Sequence, residues 1–254
     1  MANVQSVERA LTLLNVLSEY PDGIQVTRLS EQVGLTKSTT HRLLTTLVNM
    51  NYVLKDKDSD KYKLGYQVVY LSRQLLNNSD LIQVSRPYLK KLCDDVNEAI
   101  HLCIEDNEEV LYIDKLESTQ TIRMYSRIGN RRPFYCTGVG KVLLAGMEPE
   151  RYEQTLQKID FEVRTPNTIT TPEKLTEEVS RVKELGYALD NVEVEEGIRC
   201  IAAPIYNAKG NIIASFSISG PSNRVTLERI QDELIERVRQ TTREISEQLK
   251  LWNT

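Results

Sequence analysis

Residues 34–53, GLTKSTTHRLLTTLVNMNYV, are the stretch that decides the fold of the first part of the chain. Gly34 is placed to end one helix in the left-handed conformation that glycine favours, and Thr36 is placed to cap the next helix. At 100° per residue, three leucines and Met50 share one face of that second helix, with Thr40 at its margin. We therefore predict a helix that follows a tight turn, buries this face and ends near Met50.

The opposite face of the same helix carries short polar side chains and one arginine, without any Asp or Glu. Such groups suit base edges and phosphates in a major groove, where a helix fits. Lys37 and Ser38, with the amides of the first turn, can hold a phosphate. A merely solvated face is the alternative, but the missing acids and the preceding turn favour DNA contact. The residues predicted to bind DNA are Thr27, Lys37, Ser38, Thr39, His41, Arg42 and Thr45.

The flanking segments extend this stretch into a larger motif. A helical apolar stripe covers residues 6–19, and a short helix is predicted over residues 28–33 with Thr27 as its N-cap. After the central helix, residues 52–55 and 61–64 are typical of two short strands joined by a polar loop. This order predicts a winged helix-turn-helix domain.

The charge distribution agrees with that interpretation. The 254-residue chain has a net charge of −4, but residues 28–63 hold seven Lys/Arg and four acids, a net charge of +3 that leaves −7 elsewhere. A basic part joined to an acidic part is expected when only one domain meets phosphate. The apolar content of 40% and the charged content of 27% are ordinary for a globular protein, and the length fits two domains.

Several classes of protein are not indicated by the sequence. There is no run of about 18 apolar residues, and the first ten residues lack a basic segment followed by an apolar core, so neither a membrane span nor an export signal is expected. The four cysteines are scattered without a C-x-x-C pair, and there are two histidines. We expect reduced thiols, no metal, no cofactor and a cytoplasmic location.

The second part of the chain has a different pattern. An amphipathic helix over residues 66–76 leads to a polar break at 77–80 and a further helix at 81–96. The predicted strands are 99–105, 110–116, 122–126, 198–206 and 211–219. The predicted helices are 138–146, 149–158, 172–186 and 226–250. We predict an α+β fold with a DNA-binding domain over 1–65, a linker helix over 66–80 and a second domain over 81–254.

Several segments of the chain resemble one family of proteins. The segments LSEQVGLTKSTTHRLLTTLVNMNYV (29–53), TGVGKVLLA (137–145) and GYALDNVEVEEGIRCIAAPIYNAKGNIIASFSISGP (186–221) are similar to the isocitrate lyase regulator (IclR) family of bacterial transcription factors. The block at 100–135 resembles the members that respond to 2-keto-3-deoxygluconate. The resemblance implies a GAF-like effector-binding domain with a mainly antiparallel sheet flanked by helices, and homodimers that can pair into tetramers.

Two patterns in the second domain have a chemical meaning of their own. Along 211–219, apolar residues alternate with a face that ends in three serines, which predicts either a polar outer face or a lined pocket. The run Gly138-Val139-Gly140 precedes an apolar helix whose first amides can bind a carboxylate. His101 lies among apolar neighbours and is interpreted as a hydrogen-bonded core residue.

By resemblance, the family's pocket for a small acid falls on residues of this second domain. The side chain of Cys200 is predicted to be a small part of the pocket lining, and the alternative is a buried cysteine of the core. Arg123, Tyr125 and Arg127 alternate on a predicted strand and are candidates for recognising the hydroxyls of a sugar acid, with a dimer contact or surface ion pairs as the alternative. The effector-binding candidates are Arg123, Tyr125, Arg127, Gly138, Val139, Gly140, Asp190, Ile198, Cys200, Ser217 and Ser219.

These observations predict a DNA-binding repressor, not an enzyme, whose partners are double-stranded operator DNA and a carboxylate effector such as 2-keto-3-deoxygluconate. One alternative is a regulator of the same family that answers to glyoxylate, pyruvate or an aromatic acid. The other is an enzyme with an accessory DNA-binding domain and a catalytic Cys200 or Asp190. No histidine lies near either residue in sequence, which argues against that enzyme.

Overall fold

The structure is a computed structural model that describes residues 3–77, 80–121 and 125–252. The chain divides into two compact units, Met1–Asn78 and Ser79–Thr254. No helix in the described ranges is both long enough and apolar enough to cross a membrane.

The first unit is a winged helix-turn-helix, as predicted. Its three short strands form an antiparallel sheet in the order β1-β3-β2. Its elements are α1 (Gln5–Ser18), β1 (Ile24–Gln25), α2 (Val26–Gln32), α3 (Lys37–Asn49), β2 (Val53–Lys55), β3 (Lys61–Leu64) and α4 (Gln67–Asn77).

The turn between α2 and α3 has the geometry that the sequence predicts. Gly34 has a φ of +63°, and the amide of Leu35 donates to the carbonyl of Ser30 at 3.0 Å. The Thr36 hydroxyl caps α3 by accepting the amide of Thr39 at 3.3 Å. A residue that tolerates positive φ is therefore required at Gly34 to aim α3 away from α2.

The core of this unit is formed by one face of each helix and the inner face of the sheet, from residues that include Leu13, Leu17, Leu29, Leu44, Leu47, Val53 and Tyr62. Met50 is 57% exposed, so its predicted place in the core is wrong. The reason is that Met50 is the C-cap of α3, where the backbone has left the helical conformation and turns the side chain outward.

The predicted start of α2 is also corrected. Thr27 lies inside the helix and does not cap it, because α2 begins at Val26 after an extended Gln25 that makes no side-chain cap. Ile24 and Gln25 pair with β3, so the chain passes from a strand directly into the helix.

The second unit is an α+β domain, as predicted. In the described residues, its antiparallel sheet has six strands in the order β6-β5-β4-β9-β8-β7. Its elements are α5 (Asp80–Val96), β4 (Ala99–Asp106), β5 (Glu109–Leu116), β6 (Arg131–Arg132), α6 (Gly138–Ala145), α7 (Pro149–Lys158), α8 (Pro172–Leu185), β7 (Ala188–Asn191), β8 (Ile198–Tyr206), β9 (Ile212–Pro221), α9 (Leu227–Arg229), a π-helical turn (Ile230–Leu234) and α10 (Ile235–Trp252).

The apolar helix α6 packs on strands from both halves of this sheet, and α10 packs on β8 and α5. Val139, Val142 and Leu144 of α6 belong to the same buried cluster as Ala188 of β7 and Ala202 of β8. The first turn of α6 is therefore held directly against the central and edge strands.

The predicted strand at 122–126 is wrong for the residues that can be described. Tyr125 and Ser126 have no regular structure, and the edge strand is β6 instead. The reason is a turn at Gly129 (φ +90°), whose amide donates to the carbonyl of Tyr112 at 2.8 Å. The amide of Tyr112 in turn donates to the carbonyl of Asn130 at 3.0 Å. The free edge of β5 therefore bonds to residues 129–132 and not to the predicted strand. Ile122, Arg123 and Met124 lie outside the described residues.

Candidate functional site

The outer face of α3 is polar and accessible. Lys37, Ser38, His41, Arg42 and Thr45 are exposed, whereas Thr39 is half-buried. The hydroxyl of Thr45 donates to the carbonyl of His41 at 2.8 Å, which leaves its oxygen free to accept a further bond. Thr27, the remaining predicted DNA contact, is exposed on α2. The predicted residues of α3 therefore form one surface that a large partner can reach.

The first turn of α3 adds backbone donors to this surface. The amides of Thr39 and Thr40 are bonded to the side chain and carbonyl of Thr36. Those of Lys37 and Ser38 precede the first hydrogen-bonded turn and have no helical partner. With the ammonium group of Lys37 beside them, they suit a phosphate oxygen.

The loop between β2 and β3 is ordered by its own aspartate and rich in lysine. The Asp56 carboxylate accepts the amide and the hydroxyl of Ser59 at 2.8 and 2.6 Å, which closes the loop. Lys55 pairs with Asp60 at 2.7 Å, whereas Lys57 is exposed on the loop itself. The wing thus presents cations from the same unit as α3.

The second unit contains an internal cavity of about 160 Å³. Sites for drug-sized ligands have volumes of roughly 300–1,000 Å³, so this cavity fits a small metabolite. The residues that line it are His101, Tyr112, Tyr125, Ser126, Arg132, Thr137, Gly138, Val139, Asp190, Val194, Glu195, Ile198, Cys200, Ser217 and Ser219.

Strand register explains why distant residues meet in this cavity. Asp190 of β7 lies opposite Cys200 of β8, and Cys200 lies opposite Ser219 of β9. Ser217, two residues from Ser219 on the same face, lies opposite His101 of β4. Ser217 and Ser219 are 4% and 2% exposed, with their hydroxyl oxygens 3.1 Å apart. The serine face of β9 is therefore buried, and the interpretation as a polar outer face is wrong.

The start of α6 closes the cavity over these strands. The hydroxyl of Thr137 accepts the amide of Gly140 at 3.0 Å and donates to the carbonyl of Pro133. The amide of Gly140 therefore already has a hydrogen-bond partner within the helix. Gly138 and Val139 line the cavity, whereas Gly140 does not. A Cβ atom on Gly138 would lie 3.3 Å from the amide nitrogen of Asp190, so glycine allows this helix start to approach β7.

His101 bridges two hydroxyl groups of the cavity. Its Nε2 is 2.7 Å from the Ser126 hydroxyl and its Nδ1 is 3.3 Å from that of Ser219, while its ring lies 5.1 Å from the ring of Tyr112. Burial, helped by the charge of Lys115, lowers the pKa of His101 to about 3. The imidazole is therefore neutral at physiological pH and offers one donor and one acceptor. The prediction of a hydrogen-bonded core residue holds for His101, which also lines the cavity.

Arg132 places a cation at the cavity wall. Its guanidinium is half-buried, and within the described ranges it forms no salt bridge. Its neighbour Arg131 instead pairs with Asp106 and Glu109 on the surface. Its Nη1 donates to the carbonyl of Arg131 at 3.3 Å, and without a carboxylate partner in the described part of the chain the guanidinium of Arg132 keeps its charge available for an anionic ligand.

The structure places the effector-binding candidates around the predicted strand at 122–126 differently. Tyr125 lines the cavity, although its side chain is 80% exposed. Arg127 does not line it, and its guanidinium lies 5.0 Å from the centre of the Tyr125 ring. Arg123 lies outside the described residues.

The sequence interpretation missed several lining residues. The signal for Arg132 was the pair Gly129-Asn130, which is typical of a hairpin turn and returns the next residues to β5. The signal for His101 was its two-residue spacing from Cys103 on an alternating strand. The missed lining residues are His101, Tyr112, Ser126, Arg132, Thr137, Val194 and Glu195.

Cys200 and the acid beside it are poorly suited to nucleophilic chemistry. Burial raises the pKa of the Cys200 thiol well above its usual value, and the nearby Asp190 carboxylate raises it further. A protonated thiol is a weak nucleophile. His101, the histidine of this cavity, is bonded to Ser126 and Ser219. In the described part of the chain, no three His, Cys, Asp or Glu side chains are grouped to hold a metal ion.

Comparison with protein families gives two matches that together span most of the chain. Residues 6–57 match the IclR helix-turn-helix domain. Residues 73–247 match the bacterial transcriptional regulator IclR C-terminal domain. The first match contains α3 and the second contains the whole cavity.

Individual proteins resemble the chain over nearly its full length. The HTH-type transcriptional regulator KdgR of Escherichia coli K12 is 38% identical over 247 residues, which cover 97% of this chain and 93% of that protein. The transcriptional repressor IclR of the same organism is 31% identical and covers 90% and 84%. The crystal structure of Thermotoga maritima IclR has a TM-score of 0.77 at 31% identity and covers 97% and 99%.

Proposed function

The chain belongs to the IclR family of bacterial transcriptional regulators and is similar to its KdgR members, and on that premise we propose that it is a repressor controlled by a small 2-keto sugar acid. The first candidate for this acid is 2-keto-3-deoxygluconate. One observation carries the proposal: a small cavity lined by hydroxyls, helix amides and an arginine lies in the same chain as an exposed, acid-free recognition helix.

The operator contact is assigned to α3 and the wing. Arg42 and His41 reach base edges in the major groove, while Lys37, Ser38 and Lys57 contact phosphates. Thr27, Thr39 and Thr45 complete the surface as hydroxyl donors and acceptors. Residues 1–65 form the DNA-binding domain in this proposal, residues 66–80 the linker and residues 81–254 the effector-binding domain. A protein that acts on DNA in this way works in the cytoplasm.

The acid is assigned to the cavity of the second unit. Its carboxylate and keto oxygen are received by Ser217, Ser219 and the first amides of α6, with Arg132 supplying the positive charge. Asp190 faces the hydroxyl groups of the ligand, and Ile198 forms an apolar wall. The effector-binding roles of Arg123, Tyr125, Arg127 and Gly140 remain predictions. Among the three of these residues that the structure describes, Tyr125 lines the cavity.

Dimerisation is assigned to apolar side chains that the first unit leaves exposed. Val7 and Leu11 lie on one face of α1, and Val4 is the exposed residue that precedes this helix. Tyr66, before α4, and residues 69–71 of α4 are also apolar and more than half exposed. Pairing through these surfaces would present two copies of α3 to successive half-sites of a pseudo-palindromic operator. The effector-binding domains would then join dimers into tetramers.

A regulator of this kind needs coupling between its two sites. A coupling free energy of about 1–3 kcal/mol changes operator affinity roughly 5- to 150-fold. The experiment is a fluorescence anisotropy titration of promoter fragments from sugar-acid genes, with and without 2-keto-3-deoxygluconate. We expect the Kd for one fragment to rise by a factor in that range. Unchanged operator affinity with every 2-keto acid would contradict the proposed effector class.

The alternative within the family is an effector such as glyoxylate, pyruvate or an aromatic acid. The cavity volume of about 160 Å³ admits these smaller acids as well. The polar wall formed by His101, Ser126 and Arg132 favours a ligand with several hydroxyl groups over a two-carbon or aromatic acid. A thermal-shift screen separates them, because the tightest ligand at equal concentration gives the largest rise in Tm.

A further inference from the structure

Four carboxyl groups of the second unit are almost fully buried in the described part of the chain. They are 1–5% exposed. The four are Glu98, Asp114, Asp190 and Glu193. Burying an ionised carboxylate is costly unless a cation or several donors compensate it. We therefore compare the cations and hydrogen-bond donors that surround each of these four carboxyl groups.

Three of the four are bonded to a cation. Each of these bonds is between 2.5 and 2.8 Å long. The pairs are Asp114 with Arg86, Glu98 with Arg224, and Glu193 with Lys141. Asp190 is the exception among the described residues.

Asp190 is instead surrounded by neutral donors. One carboxyl oxygen accepts the amide of Glu193 at 2.7 Å, and the other is 3.9 Å from the sulfur of Cys200. The nearby ammonium group of Lys141 is already bonded to Glu193 at 2.6 Å and to the carbonyl of Leu189 at 2.8 Å. The second carboxyl oxygen of Glu193 is buried and has no hydrogen-bond partner among the residues that the structure describes. Two carboxyl groups thus share the charge of one lysine.

Other groups that face Asp190 do not supply a paired cation. Across the cavity, His101 is neutral and Tyr112 has a pKa raised well above its usual value by burial. The Cys136 thiol also has its pKa raised by burial, to about 12. Arg132 and Glu195 also line the cavity, and in the described part of the chain neither forms a salt bridge with Asp190. The ammonium group of Lys141 is bonded to Glu193 and Leu189, and the Cys200 thiol is a neutral neighbour of Asp190.

Resting on the proposed function, we infer that this cavity binds its acid together with one proton, which Asp190 holds. A ligand carboxylate held by Ser217, Ser219 and the α6 amides would share this small cavity with Asp190, so an ionised Asp190 without a paired cation would repel it in a medium of low dielectric constant. Protonation removes that repulsion. A neutral carboxyl group also offers an O–H donor to a ligand oxygen, which a carboxylate cannot do.

The protonation behaviour of the free protein agrees with this inference. Burial raises the pKa of Asp190 to about 7, and the negative charge of Glu193 acts in the same direction. The amides of Glu193 and Val194 and the charge of Lys141 oppose the rise. A bound anion would raise the pKa of Asp190 further. Below about pH 6 the proton is already present, so binding takes up little. Above about pH 8 binding must bring a proton from solution, and affinity falls by up to about tenfold per pH unit.

The test is isothermal titration calorimetry of the full chain with 2-keto-3-deoxygluconate, pyruvate and glyoxylate. Titrations at about pH 8 in buffers of different ionisation enthalpy give the number of protons taken up. We expect close to one proton per ligand, and a Kd that rises by about tenfold between about pH 8 and pH 9. A Kd that stays constant from about pH 6 to pH 9, with no proton uptake, would overturn the inference.

Two variants assign the proton to its residue. Asp190→Asn keeps an oxygen for the amide of Glu193 and should remove both the proton uptake and the pH dependence. Glu196→Gln, on the same loop but exposed and outside the cavity lining, is the matched control and should retain both. Continued uptake by a folded Asp190→Asn protein would also overturn the inference. If that variant does not fold, the buffer series on the unmodified chain decides.

The same experiment separates this inference from the proposed function. An acid that binds without proton uptake would refute the role of Asp190 and leave the acid-responsive repressor standing. If none of the three acids binds at any pH, the proposed effector class is refuted, and the inference is refuted with it.

Discussion

The outer face of α3 and the inner face of β9 are both polar faces of amphipathic elements, but they differ in burial. Arg42 and His41 on α3 are exposed, whereas Ser217 and Ser219 on β9 are at most 4% exposed. An exposed polar face can meet a partner as large as a duplex. A buried polar face can bind only a ligand that the fold encloses, and here the enclosed volume is about 160 Å³.

This difference also separates the chemistry of the two regions. Around α3, lysines and an arginine meet an anion that keeps much of its water, so salt should weaken the contact. Inside the cavity, the hydroxyls of Ser126, Ser217 and Ser219 are held in place by hydrogen bonds, so single-atom changes there should alter ligand choice while sparing DNA binding. Variants in one region should therefore leave the other function intact.

The largest effect is expected at Arg42. Replacing Arg42 with Ala should raise the Kd for operator by up to about 100-fold, because an arginine that reads a base contributes roughly 1–3 kcal/mol. The affinity for the acid, measured by calorimetry, should not change.

Arg181 on α8 provides the matched control for Arg42. Its side chain is 72% exposed and lies in the other unit. Arg181→Ala should leave the operator Kd within about twofold. An equal loss in both variants would mean that net charge, and not the α3 surface, determines binding.

The next effect is expected at Arg132, which should bind the anionic ligand. Arg132→Gln should weaken acid binding by about tenfold, since a hydrogen bond to a charged group contributes roughly 1.5–3 kcal/mol. The adjacent Arg131→Gln removes a surface ion pair with Asp106 and should have little effect on acid affinity. If the two glutamine variants bind the acid equally well, Arg132 does not contact the ligand.

A smaller effect is expected at Ser217. Ser217→Ala should lower acid affinity by about fivefold, because a neutral hydrogen bond contributes roughly 1 kcal/mol. Operator affinity without ligand should be unchanged, so more acid would be needed to release DNA. Loss of DNA binding by a folded Ser217→Ala protein would refute the separation between the two regions.

The smallest effect is expected at the wing. Lys57→Ala should weaken operator binding by about two- to threefold and reduce the slope of log K against log salt by about one. The same substitution at Lys209, which lies in the loop between β8 and β9 of the second unit, should leave that slope unchanged. Equal slopes for Lys57→Ala and the unmodified chain would show that the wing does not contact phosphate.

The same contrast shows what sequence could predict. Thr36, Gly34 and the acid-free face of α3 are local signals, because capping, a positive φ and helical periodicity depend on neighbours in sequence. The serine alternation of β9 was equally visible, but its burial depends on α6, which lies more than 60 residues earlier. A local pattern therefore predicts an element and its faces, and not what covers them.

The cavity residues that sequence missed illustrate the same limit. Arg132 reaches the cavity because a turn at Gly129 redirects the chain to β5, which the predicted alternation of residues before that turn does not indicate. Strand β7 was not predicted, because it is only four residues long and has no periodicity to detect. Asp190 on this strand was predicted through the family resemblance alone. Its position is set by pairing with β8.

The central claim is that the two regions are coupled sites of one regulator, and reciprocal linkage tests it most directly. The operator Kd is measured with and without saturating 2-keto-3-deoxygluconate, and the acid Kd is measured with and without operator. The account predicts that both constants change by the same factor, between roughly 5 and 150. A factor of one in both directions, with each ligand bound, would contradict it.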